Sequence, residues 1–94
     1  MKLFVVHCGF YDNALSEGEA PNIYEGHYNF YVAAEDASEA KAKVKEKTLF
    51  KSKKMHVDGI HHLNSVDGFK VNLIPAQTDK SSIQGYSYDK SKKL

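Results

Sequence analysis

Five histidines stand in a chain of 94 residues, at His7, His27, His56, His61 and His62. Imidazole both ligates transition metals and exchanges protons near neutral pH, so their spacing is the first thing to read. If residues 56–66 form a strand, His56, Asp58 and His62 point the same way, yet His56 and His62 then sit roughly 20 Å apart, too far to share an ion. His61 and His62 point to opposite faces. A metal site therefore requires the fold to bring His7 or His27 beside one of the others, with Glu25, Asp58 or Asp67 as the carboxylate. His56-Val57-Asp58 also places an acid about 7 Å from an imidazole, α-carbon to α-carbon, on one side of a strand. Such a carboxylate can orient the ring for general-base work. The plainer reading of each histidine is a strand or loop residue hydrogen-bonded for structural reasons.

Other chemistries find little support. There is no Gly-x-Ser-x-Gly turn, and Cys8 has no local signature of a nucleophile. As the single cysteine it excludes an intrachain disulfide and a cysteine-rich zinc site, and argues against a secreted, disulfide-stapled design. The six glycines never cluster into a phosphate-binding loop or a dinucleotide fingerprint. No cofactor is called for, and an enzyme is not the first expectation.

The elements that must position these residues follow from hydropathy. Leu3 to Cys8 is apolar on both faces and ends at Gly9, as expected of a central strand. Residues 10–26 break the pattern and read as a connection of about 16 residues, long enough to serve as a lid. His27 to Ala34 alternates, with Tyr28, Phe30, Val32 and Ala34 on one face, and predicts a half-buried strand. Asp36 with Glu39 three residues on reads as a capping box, opening a helix from Ala37 to Thr48 with an inward stripe of Ala37, Ala40, Val44 and Thr48. His56–Val66 and Phe69–Ala76 read as strands joined at Asp67-Gly68, where both residues tolerate positive φ. A two-residue turn pairs Val66 with Phe69, Asn64 with Val71 and His62 with Leu73. Parity then puts Ile60, Val66, Phe69, Val71 and Leu73 on the core side, and His62 and Asn64 with them. Two polar side chains among hydrocarbons either bond to each other and to loop backbone, or line a cavity.

The expected fold is α+β in the order β-β-α-β-β, a small antiparallel or mixed four-stranded sheet with one helix on one face. Residues 1–76 form the domain, and 77–94 a polar, weakly ordered tail with an edge strand over 83–88. Charge is divided unevenly. Residues 1–40 carry one lysine against seven carboxylates, net −6, and residues 41–94 carry twelve lysines against five, net +7. Adjacent elements of one domain can neutralise each other, or two copies can attract head to tail. Seven lysines between Lys41 and Lys54 resemble a nucleic-acid patch, but glutamates are interleaved and the chain has no arginine, so a solvated helix face is the better reading. The short apolar start and the absence of any stretch near 18 apolar residues give no signal peptide or membrane span, and the cytoplasm is the expected compartment.

Leu3-Phe4-Val5-Val6-His7 with Gly9, Asn22-Ile23-Tyr24-Glu25-Gly26-His27 leading into Phe30-Tyr31-Val32, the acid-capped helix, His56-Val57-Asp58 and Val66-Asp67-Gly68-Phe69 occur in order. Over residues 2–75 the chain thereby resembles the bacterial domain of unknown function family 1543. The resemblance implies a small α+β domain of bacterial cytoplasmic proteins with no established activity. It draws interest to Glu25, His27, His56 and Asp58 without assigning a reaction. The function expected first is a non-enzymatic binding or interaction module acting as a homodimer. The alternative is a small-molecule or metal site built from His27, His56, Asp58 and Glu25 under the first loop, with His62 and Asn64 as further ligand-facing residues.

Overall fold

In a computed structural model of the chain, residues 1–12, 24–78 and 80–94 are described. Two eleven-residue strands, β1 (Lys2–Asp12) and β2 (Tyr24–Ala34), pair antiparallel from Lys2↔Ala34 to Asp12↔Tyr24. Both run further than the hydropathy pattern suggests. Phe10 to Asp12 and Tyr24 to Gly26, expected in the long connection, belong to the strands, because ladder hydrogen bonds carry on where apolar alternation stops. Gly26 makes this possible at Phe10, whose ring lies over the site a Cβ would fill. The remainder of the expected lid, residues 13–23, lies outside the described residues.

The third strand, β3 (His56–His62), pairs antiparallel with the other edge of β1, giving the order β2-β1-β3. β1 is the middle strand, as its two-sided apolar run requires. β2 and β3 are consequently parallel to one another with β1 between them.

The helical crossover is interrupted. α1 (Ala37–Lys45) starts as predicted at Asp36, whose side chain accepts from the Glu39 backbone N–H at 2.8 Å. The Glu39 carboxylate in turn accepts from Glu35 N–H at 3.3 Å and meets Lys43 at 3.1 Å. It ends three residues before the expected Thr48, because Lys47 turns to an extended conformation and caps a second short helix, α2 (Thr48–Ser52). Of the expected inward stripe only Ala40 and Val44 are buried, and Phe50 from α2 replaces Thr48 in the core. α2 closes with Lys54 at φ 50°, Lys54 N–H bonded to Lys51 O at 3.2 Å and Met55 N–H to Phe50 O at 3.0 Å. This is a Schellman closure, with Phe50 and Met55 forming its buried hydrophobic contact.

The core lies between the helices and one sheet face: Phe4, Val6 and Cys8 from β1, Phe30, Val32 and Ala34 from β2, and Ala40, Val44, Phe50 and Met55. Each large side chain buried there stabilises by about 1.5–3 kcal/mol. On β2 the alternation is clean, with Asn29, Tyr31 and Ala33 exposed between the buried residues.

The turn at Asp67-Gly68 forms in the expected register, with φ 51° and 83° and Val66 opposite Phe69. It joins β4 (Ser65–Val66) to β5 (Phe69–Lys70), and Val71 N–H still reaches Asn64 O at 2.9 Å. The rest of the expectation fails. His62 pairs with Phe4 of β1 instead of Leu73, and the hairpin makes a separate two-stranded sheet. The described sheet that covers the helices thus has three strands, not four. Val66 and Phe69 are 46% and 77% exposed, so the core-side assignment of the hairpin residues is wrong. β1 already has a neighbour on each side, and the hairpin leaves β3 before its apolar residues could reach the helix-covered face. Residues 83–87 form no strand, and the tail carries a single helical turn, α3 (Tyr88–Ser91).

Candidate functional site

The face of the sheet away from the helices is where the imidazoles gather. On β1 it carries Val5, His7, Gly9 and Tyr11, and the register sets Asn29 beside His7, His27 beside Gly9 and Glu25 beside Tyr11. From the other side, β3 sets His56 beside Gly9. His56 would not face this way in a regular strand. Ile60 pairs with Val6 on the helix side, and strict alternation would send Asp58 and His56 there too. Between His7 and Cys8 the register shifts by one: Gly59 opposes His7, Val57 opposes Cys8, and Asp58 is the extra residue. This bulge turns His56 to the open face and re-aims Asp58. It also separates His56 from His62, so the shared parity expected of His56, Asp58 and His62 does not hold.

Gly9 is the floor of the site. A Cβ there would meet His56 Nε2 at 2.6 Å and Asp58 Oδ2 at 2.7 Å. The missing side chain lets groups from β2 and β3 close over β1. His56 Nε2 lies 3.1 Å from Asp58 Oδ1 and 3.8 Å from Glu25 Oε1. His27 Nδ1 lies 3.7 Å from Asp58 Oδ2, and its Nε2 4.0 Å from Glu25 Oε1. The fold therefore brings Glu25, His27, His56 and Asp58 together. Their side chains are 33–48% exposed, so solvent reaches every one of them. The Tyr11 ring stands 5.7 Å from His56.

His7, one of the two histidines that a metal site required beside the others, joins this group, and so does Asn29, which nothing in its type or position singled out. The His7 ring stacks on His27 at 5.0 Å and 11°. Its Nδ1 is 2.6 Å from Asn29 Oδ1. An amide oxygen only accepts, so Nδ1 is the donor in this contact, and in the tautomer it selects Nε2 is the nitrogen that offers a lone pair. Two sets of ligand-type atoms lie within 4.8 Å of one another: His7, His27 and Asp58, and Glu25, His56 and Asp58. An isolated glycine inside a strand pattern is a bulge signal, and Gly59 is where that signal stands.

His62 and Asn64 are not in the group. Both are exposed, so they are not polar intruders in a buried layer. His62 lies 5.2 Å from the Phe4 ring, five residues along β1 from Gly9, or roughly 17 Å. The two residues line a cleft of about 450 Å³ with Met1 to Leu3 and Lys70 to Leu73. Another cleft, of about 720 Å³, runs between Tyr28 to Tyr31, Lys47 to Leu49 and Ser81 to Ile83, and Glu25, His27, His56 and Asp58 take no part in it. Cys8 is fully buried on the helix side. Burial first, and then the charge of Asp58, push its thiol up from the ordinary value of 9.0, which removes it as a nucleophile.

The molecule is thus a small α+β domain with a helix-covered sheet face and an open face bearing a histidine–carboxylate cluster. It belongs to the Domain of Unknown Function (DUF1543) family, whose model matches residues 22–73, more than half of the chain. The match takes in β2, both crossover helices, β3 and the hairpin, and with them Glu25, His27, His56 and Asp58. No curated protein and no solved structure matches the chain.

Proposed function

We propose that the chain is a binding domain whose open sheet face holds a divalent transition metal of the zinc class through Glu25, His56 and Asp58, with His27 beside them. The observation that carries this reading is the convergence of Glu25, His56 and Asp58 ligand atoms within 4.8 Å. Two ligands about 2.1 Å from one ion at a tetrahedral angle are about 3.4 Å apart. The contacts from His56 to Asp58 and to Glu25, 3.1 and 3.8 Å, bracket that value. A mixed imidazole and carboxylate set suits zinc and its neighbours better than calcium or magnesium. Without a cation, two carboxylates, Glu25 and Asp58, crowd around the His56 ring, and half-exposed contacts of this kind contribute no more than about 1 kcal/mol.

The test is calorimetric titration of the chelator-treated full chain with zinc chloride. Zinc should bind, and His56→Ala and Asp58→Asn should each lose the ion held by Glu25, His56 and Asp58 while keeping the fold by circular dichroism. His61→Ala, on the same face but opposite Val5, should bind as the natural chain does. Equal binding by all four proteins, or by none, would defeat the proposal.

Self-association is a second reading. β2 is eleven residues long with a single strand neighbour among the described residues, and Tyr24, Tyr28 and Tyr31 on it are 48%, 46% and 65% exposed. An unpaired edge of this length is a template for another strand. Sedimentation at low and high salt tests it, and a strict monomer at both counts against it.

A further inference from the structure

Asp58 faces two ways. Its Oδ1 points to His56 at 3.1 Å and its Oδ2 to His27 at 3.7 Å. The two ligand sets share this residue and no other: Glu25 and His56 complete one set, His7 and His27 the other. We infer that the centre is dinuclear, with the Asp58 carboxylate bridging one ion held by Glu25 and His56 and a second held by His7 and His27. The inference rests on the metal reading above and adds to it a second ion and a second pair of ligands.

Three features support the His7 side independently of the first ion. The His7 ring is held by a 2.6 Å hydrogen bond from Nδ1 to the Asn29 carboxamide oxygen, which selects the tautomer whose Nε2 offers a metal its lone pair. An outer hydrogen bond of this kind fixes the tautomer and orientation of ligating histidines. His27 can serve the second ion without leaving the first group, because Nδ1 faces Asp58 while Nε2 faces Glu25 at 4.0 Å. Finally, the bulge that makes Asp58 the extra residue of β3 puts its carboxylate over Gly9, between His27 of β2 and His56 of β3. A carboxylate paired regularly within the strand would face one neighbour only. Two ions sharing one carboxylate on a solvent-exposed face can together hold a bridging oxygen ligand.

Metal stoichiometry separates the outcomes. The chelator-treated full chain is loaded with zinc, passed through gel filtration and analysed by atomic emission, with calorimetry giving the affinity of each ion. Two zinc ions per chain are expected. His7→Ala should retain one, its affinity within about threefold of the natural chain's. Asn29 is a positioning residue: Asn29→Ala should weaken the second ion by about 10–100-fold, and Asn29→Asp, which keeps an acceptor for Nδ1, should restore it. Asn29 is exposed, so this pair reports even if His7→Ala fails to fold. One zinc per chain, or two that survive both His7→Ala and Asn29→Ala, would overturn the bridged pair while leaving the single-ion reading intact. No bound zinc would defeat both.

Discussion

Gly9→Ala tests whether ligands close over the middle strand. Its Cβ would stand 2.6 Å from His56 Nε2 and 2.7 Å from Asp58 Oδ2, where ordinary contact begins at 3.4 Å. Both groups must then retreat by about 0.7–0.8 Å, several times the ~0.2 Å tolerance of a metal–ligand distance. The crowded atoms are the ends of side chains, so the fold can absorb the change. The metal-free variant should melt within about 4 °C of the natural chain, equivalent to less than about 1 kcal/mol. Affinity should fall at least about tenfold, the loss typical when metal ligands are misaligned. With zinc at 100 times its dissociation constant, the natural chain gains about 2.7 kcal/mol, and a tenfold weaker variant about 1.4. At about 4–8 °C per kcal/mol for a domain of this size, zinc should raise the natural melting temperature by roughly 10–20 °C and that of the variant by about half as much. Differential scanning calorimetry with and without zinc reads both. A variant that keeps the whole zinc-induced rise would refute the reasoning, because the ligands would then not meet above Gly9.

Other perturbations probe the frame. Phe30→Ala, at a site 8% exposed, should cost about 3–5 kcal/mol in urea unfolding, whereas Phe69→Ala, 77% exposed, should stay within about 0.5 kcal/mol; equal losses would mean the hairpin packs on the core after all. Asp36→Ala removes the acceptor of the Glu39 N–H and should cost about 1 kcal/mol, and an unchanged midpoint would deny the cap its role. Because folding raises the Cys8 thiol from 9.0, the unfolded chain loses that proton first on the alkaline side. Stability from this group is complete below pH 9 and declines as pH rises toward the folded value; Cys8→Ala should flatten that decline, and an identical alkaline slope would contradict it. Acidification should release zinc, since protons compete for the imidazole and carboxylate ligands. Zinc affinity independent of pH between about 5 and 8 would speak against histidine ligation.

Local chemistry was legible in the sequence wherever a residue's own conformational preference decided the outcome. Asp67-Gly68 turns the chain in the expected register because both residues accept positive φ. Asp36 starts α1 because its carboxylate satisfies an orphaned N–H. Family resemblance drew attention to Glu25, His27, His56 and Asp58, and the spacing of the histidines required a partner from His7 or His27. What escaped was non-local. Strand ends at Asp12 and Tyr24 depend on a partner's ladder rather than on apolar alternation. The bulge at Asp58 reverses a parity argument that assumes unbroken alternation, and so hid that His56 and His62 part company. His7 and Asn29 become neighbours through β1–β2 register alone, which no single-strand pattern contains. The break between α1 and α2 follows from the extended conformation at Lys47, a residue whose type gives no warning of it.

Glu25, His56 and Asp58 should surround a metal ion on the open sheet face. Crystals of the full chain grown with zinc, with diffraction recorded on both sides of the zinc absorption edge, address it directly. An anomalous peak about 2.0–2.2 Å from His56 Nε2 and from carboxylate oxygens of Asp58 and Glu25 is the expected result. Zinc-dependent peaks confined to other surface histidines or carboxylates, with none above Gly9, would contradict it.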